Sequence, residues 1–137
     1  MNKVIKFLLP LALLGLVNCT TYKKQDLYPS QSGSCALDTV KTVSFSKNII
    51  PIFKTNCSYS GCHDDLVKAG SLDLDSADAY TSLMKRGTGY INTANPQASL
   101  LYSQLLSTSQ PMPPTGRLSD CDLQLIQVWM QQGAENN

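Results

Sequence analysis

One short segment constrains this chain more than any other: Cys57-Ser58-Tyr59-Ser60-Gly61-Cys62-His63. It holds two of the five cysteines and the only histidine among 137 residues. A single imidazole excludes every site that needs two from one chain, including an iron held by two histidines. The length suits one domain, on the usual scale of roughly 100–200 residues each. Lysine and arginine number 11 against 10 acidic residues, so the net charge is +1. A nucleic-acid binder working by bulk electrostatics would carry a clustered basic excess, and none exists here. Charged residues make up 15% and hydrophobic ones 42%, which excludes a charge-driven disordered chain.

The N-terminus reads as an export leader. Lys3 and Lys6 precede an apolar run of 11 residues from Phe7 to Val17. That length suits a signal peptide of roughly 7–15 apolar residues and falls short of a membrane span. Leu16-Val17-Asn18-Cys19 follows and resembles the lipobox of bacterial lipoproteins, in which the cysteine is acylated and becomes the mature N-terminus. Asn18 departs from the Gly, Ala or Ser usual before that cysteine. The expected organisation is a signal peptide over 1–18, a tether over 19–43 and a folded domain over 44–137. Lys, Thr, Gln, Ser, Pro and Gly dominate the tether, as in flexible linkers. Acyl chains on Cys19 would hold the domain at a membrane surface.

The folded part shows no sustained period-2 alternation, whereas helix boundaries are plain. Ser119 is an N-cap with Asp122 in capping-box position, and Leu118 and Leu123 are spaced as a hydrophobic staple. Leu123, Ile126, Trp129 and Met130 then form one apolar stripe that ends before Gly133. Asn95-Pro96 opens a second helix with Leu100, Leu101 and Leu105 on its apolar face. Asp75 or Ser76 caps a third through Ala79, Tyr80 and Leu83, closed by Lys85-Arg86 and Gly87. The segment Phe45 to Asn56 is the fourth, and Pro51 requires it to start late, near Asn48, or to kink. The expected fold is a small all-α domain of about four short helices with long loops.

Cys57, Cys62 and His63 form a C-x4-C-H segment, related to the C-x2-C-H attachment site of c-type haem. There, two thiols add across the vinyl groups of haem, and the adjacent imidazole reaches the iron. The wider loop between the cysteines needs a tight turn, which Gly61 permits. Two other readings use the same residues. Cys57 and Cys62 could pair as a small disulfide, or a Cys3His zinc site could recruit Cys35 or Cys121.

A second element lies 49 residues after His63, at Gln110-Pro111-Met112-Pro113-Pro114. With it, the chain resembles the monohaem cytochrome c family, in the C-x4-C-H branch of exported bacterial lipoproteins. The resemblance runs from about Ser44 to Gly133. It includes Phe45-Ser46, Pro51-Ile52-Phe53, Ser71-Leu72-Asp73-Leu74, Asn95-Pro96 and Leu118-Ser119-Asp120 into Trp129. It implies one covalent haem c, thioether bonds from Cys57 and Cys62, and iron ligands His63 and Met112. It also implies that the first and last helices cross, so that Ile49, Phe53, Ile126 and Trp129 meet. Met84 and Met130 compete with Met112, but both fall at apolar helical positions where core packing is the commoner role.

Cys35 and Cys121 remain, and exported chains pair spare thiols. Their bridge would close about 87 residues and stabilise by about 4 kcal/mol in the chain-entropy account. Asp64, Asp65, Asp73, Asp75 and Asp78 do not match a calcium loop and are assigned to solvated loop and cap positions. The expected protein is an exported, lipid-anchored electron carrier that exchanges single electrons with redox protein partners and binds no nucleic acid. A disulfide- or zinc-stapled structural lipoprotein and a five-coordinate haem sensor or peroxidase are the alternatives.

Overall fold

Proline decides where the first helix begins. Lacking an N–H, Pro51 sits without loss only in a first helical turn. In the computed structural model, which describes residues 41–75 and 77–137, helix α1 spans Ile50–Asn56 with Pro51 in that turn. The wider turn before it, Phe45–Ile49, is π-helical, and the Ile50 N–H reaches back to the Phe45 carbonyl. Ser44 and Asn48 fasten its start, the Ser44 N–H donating to Asn48 Oδ1 at 2.8 Å.

Helix α2 spans Ala79–Leu83. It begins later than the capping signal at Asp75 suggests. The Asp75 N–H is bound by the Asp73 carboxylate, which holds the preceding segment out of the helix. Helix α3 spans Leu100–Leu105 and is separated by Ser99 from a 3-10 turn at Pro96–Ala98. The expected continuous helix from Pro96 is therefore broken. Ser99 is fully buried and accepts the Asn92 N–H on its hydroxyl at 2.8 Å, while its backbone is extended. The first free amides of α3 go instead to the Gly89 and Tyr90 carbonyls.

Helix α4 spans Asp120–Gln131 and follows its sequence signals closely. Ser119 Oγ accepts the Asp122 N–H at 3.1 Å and donates to Asp122 Oδ2 at 2.8 Å. Gly133, with φ +100°, reverses the chain. The Ala134 N–H then meets the Trp129 carbonyl, and the Gly133 N–H meets that of Met130, a Schellman ending. No strand occurs among the described residues, so the fold is small and all-α. None of their helices is long and apolar enough to cross a membrane.

Ile49, Phe53, Ile126 and Trp129, expected to meet, are all solvent-inaccessible in one core. Helix α4 packs on the π-helical turn, on α3 and on the Pro96–Ala98 turn. Phe45 lies between Trp129 and Tyr80, with ring centroids 5.1 and 5.3 Å away. Trp129 satisfies its indole N–H on the Glu135 carbonyl at 2.9 Å. Asn137 closes the frame by accepting the Phe45 and Ser46 amides. Val43 is buried as well, its N–H donates to Gln132 Oε1, and Gln132 Nε2 donates to the Lys41 carbonyl.

Candidate functional site

The loop that leaves α1 is folded by its own backbone. The Cys57 and Ser58 amides both end on the Phe53 carbonyl, which stops the helix. A tight turn follows, closed by the Cys62 N–H on the Tyr59 carbonyl at 2.9 Å. Its third residue is Gly61, with φ +88°, where a side chain would be strained. The His63 N–H then closes the larger loop on the Cys57 carbonyl at 3.2 Å. The longer spacing between the cysteines is thus absorbed in the Tyr59–Cys62 turn. Asp64 supports it from below by accepting the Gly61 and Val67 amides. The Tyr59 hydroxyl supports it from α1 by donating to the Thr55 carbonyl.

Beside this loop lies a cavity of about 530 Å³, within the ~300–1,000 Å³ range of small-molecule and cofactor pockets. Cys57, Cys62 and His63 line it. So do Met112, Pro113 and Pro114 from the loop before α4. Leu72, Leu74, Leu101 and Leu105 supply much of an almost wholly apolar wall. Four residues that the sequence singled out from two distant segments therefore share one cavity.

Each side chain is prepared differently. Cys57 is buried, and that burial, with the neighbouring Cys62, pushes its thiol up to about 12. It is neutral at ordinary pH. Cys62 is half-buried, and both thiols are free. A thiol can add across a carbon–carbon double bond: an S–C bond forms, and the hydrogen passes to the other carbon. His63 Nδ1 lies 3.2 Å from the Leu72 carbonyl oxygen. A carbonyl only accepts, so a neutral ring carries its proton on Nδ1 and keeps a lone pair on Nε2 for a metal.

The methionines divide clearly. Met130 is fully buried in the core, and Met84 packs half-buried against it. Met112 is 37% exposed and is the described methionine on the cavity wall. Its N–H meets the Gln104 carbonyl at 3.3 Å, which ties the loop to α3.

The remaining expectations fall elsewhere. Cys19 and Cys35 lie outside the described residues. Cys121, in the first turn of α4, is not one of the free thiols and does not line the cavity. Among the described residues, no group of three or more His, Cys, Asp or Glu side chains is placed to hold a metal ion. A zinc site that joins Cys121 to Cys57, Cys62 and His63 is therefore not assembled.

Two assignments to solvated positions are corrected. Asp64 and Asp73 are buried: the Asp64 carboxylate accepts the Gly61 and Val67 amides, and Asp73 accepts the Asp75 amide and faces Lys68. Sequence reasoning also missed the Leu72 carbonyl as the partner of His63. The Ser71-Leu72-Asp73-Leu74 segment stands out in the sequence, but a backbone acceptor leaves no signal of its own.

Residues 60–116 match the family described as Planctomycete cytochrome C. The match takes in Cys62, His63 and Met112, and it supports a cytochrome c family. No curated protein and no solved structure matches the chain.

Proposed function

We propose that this chain is an exported c-type cytochrome of the C-x4-C-H type that carries single electrons through one covalently bound haem. The observation that carries the reading is the cavity shared by Cys57, Cys62, His63 and Met112. Two free thiols, an imidazole with an unengaged Nε2 and a thioether on an apolar wall fit a haem in donor chemistry and in surroundings. The family match supports haem and electron transport independently of that geometry.

Haem, when bound, supplies an iron that accepts and returns one electron. The chain supplies everything else. Cys57 and Cys62 would hold the group by thioether bonds, and His63 would ligate through Nε2 while Nδ1 stays on the Leu72 carbonyl. Met112 would present a soft thioether, which favours reduced iron and raises its potential relative to a second nitrogen. With His63 and Met112 both as ligands, exchange of electrons with redox proteins would be favoured over chemistry on oxygen or peroxide. In this reading Cys19 carries the lipid anchor at a membrane surface, residues 19–43 are the tether, and Cys35 pairs with Cys121.

Protein co-expressed with a cytochrome c maturation system and then denatured tests the proposal. Haem should remain with the polypeptide, since thioether bonds survive unfolding. Release of haem by acid–organic extraction would defeat the reading. Met112→Ala should abolish the weak methionine–iron band at the red edge of the visible spectrum and open the iron to carbon monoxide. Ready binding of carbon monoxide by the wild type would favour a sensor or peroxidase instead.

A further inference from the structure

We propose that Lys68 and Asp73 form a clasp that positions His63 by holding the Leu72 carbonyl against its ring. The inference rests on the reading of His63 as an iron ligand, and it concerns what tunes that ligand.

The segment Leu72–Leu74 grips His63 twice on one edge. The Leu72 carbonyl accepts from His63 Nδ1, and the Leu74 N–H donates to the His63 carbonyl at 2.8 Å. Asp73, between them, faces the other way. Its N–H donates to Ser82 Oγ in α2 at 2.8 Å, and its Oδ1 accepts the Asp75 N–H at 2.9 Å. Its Oδ2 lies 2.9 Å from Lys68 Nζ, and among the described residues it makes no hydrogen bond of ordinary geometry. Compensation of that buried oxygen falls to the ammonium charge. The Asp73 side chain is only 3% exposed, whereas that of Lys68 is 43% exposed. A buried carboxylate stripped of its cation is strongly unfavourable, so the loop closes where Lys68 can reach it.

The backbone between the pair has little reason to hold this shape by itself. Lys68, Gly70 and Ser71 all adopt positive φ, at 48°, 65° and 63°. Two of the three carry side chains that disfavour that region. The reversal delivers the Leu72 carbonyl to the imidazole, and the ion pair spans its two ends. Lys68 and Asp73 are thus positioning residues, and neither lines the cavity.

A sign test separates this role from simple electrostatics. Loss of a cation near the iron lowers the reduction potential by charge alone. A looser Nδ1–H···O=C bond makes the imidazole a poorer donor to iron and raises it. Lys68→Gln, at an exposed position, sets these effects against each other. In the reduced haem protein, Lys68→Gln and Asp73→Asn should both raise the potential. Both should also speed hydrogen exchange of the His63 Nδ1 proton, read by NMR, on the order of tenfold. Lys68→Arg should leave both readouts at their wild-type values. If Lys68→Gln lowers or does not move the potential, or if ring-proton exchange is unchanged, the clasp is overturned. A wild type without covalent haem would defeat the functional reading separately, and the ring-proton exchange of His63 would still decide the clasp.

Discussion

The frame and the cavity of this protein are held by different physics. In the frame, α4 and the Phe45–Ile49 turn bury Trp129, Ile126, Met130 and Ile49 completely, and local caps fix the helix ends. Around the cavity, loops without regular structure are pinned by single bonds to backbone groups, such as His63 to Leu72 and Asp64 to Gly61. Packing energy is shared over many contacts and tolerates little loss of volume. A pinned loop depends on a few directional bonds, each of which sets the position of a functional atom. The two regions should therefore fail in different ways, one by unfolding and the other by misplacing its donors.

Trp129→Ala should separate them most sharply. Removing a fully buried Trp destabilises by about 3–5 kcal/mol, a large fraction of the stability of a small domain. Urea denaturation should show a much lower midpoint. The methionines offer a matched pair at the next level. Met130→Ala should destabilise by about 2–5 kcal/mol while the iron spectrum stays intact, because Met130 belongs to the core. Met112→Ala, at a part-exposed position on the cavity wall, should alter the spectrum and move the denaturation midpoint little. A spectrum that follows Met130 instead would reverse the assignment of frame and cavity.

Smaller effects sharpen the contrast. Ser119→Ala removes the α4 cap and should lower stability by about 1 kcal/mol, with the visible spectrum unchanged. In protein made without haem, iodoacetamide should modify Cys62 before Cys57, whose thiol is buried and held neutral. Equal rates would mean that the loop after α1 is not folded as described.

The smallest expected effect belongs to the clasp and depends on pH. Burial pushes the Asp73 carboxyl up, but Lys68 and the Asp75 amide outweigh it, leaving it below the ordinary 3.8. The close contact with the Asp73 carboxylate, and then its charge, hold Lys68 above 10.5. Asp73 therefore contributes stability that is present above pH 3.8 and lost as pH falls through its lower folded value. Lys68 contributes below pH 10.5 and loses its share as pH rises through its higher folded value. Thermal unfolding followed across pH should weaken at both ends, and Lys68→Gln should flatten the alkaline limb.

Legibility in the sequence tracks how local each cause is. Ser119 with Asp122, the stripe through Trp129 and the reversal at Gly133 are decided within a few residues, so α4 could be read directly. The helix expected from Pro96 broke because Ser99 answers to Asn92, and its next amides answer to Gly89 and Tyr90. The start of α2 shifted because Asp73 holds the Asp75 amide. In both places a loop contact overrode a good local capping signal.

By itself the sequence determined which atoms are available for chemistry: two thiols and the only imidazole within seven residues, and a methionine between prolines far downstream. Covalent identity and short spacing are properties of the chain, and no fold can alter them. Tertiary structure alone decided that Met112 lines the same cavity as His63, while Met130 is buried in the core and Met84 packs against it. It also decided that a carbonyl nine residues from His63 would orient the ring, and that Asp73 would be buried opposite an exposed lysine. Such outcomes depend on which segments meet in space, and meeting is settled by packing the whole core, not by any segment alone.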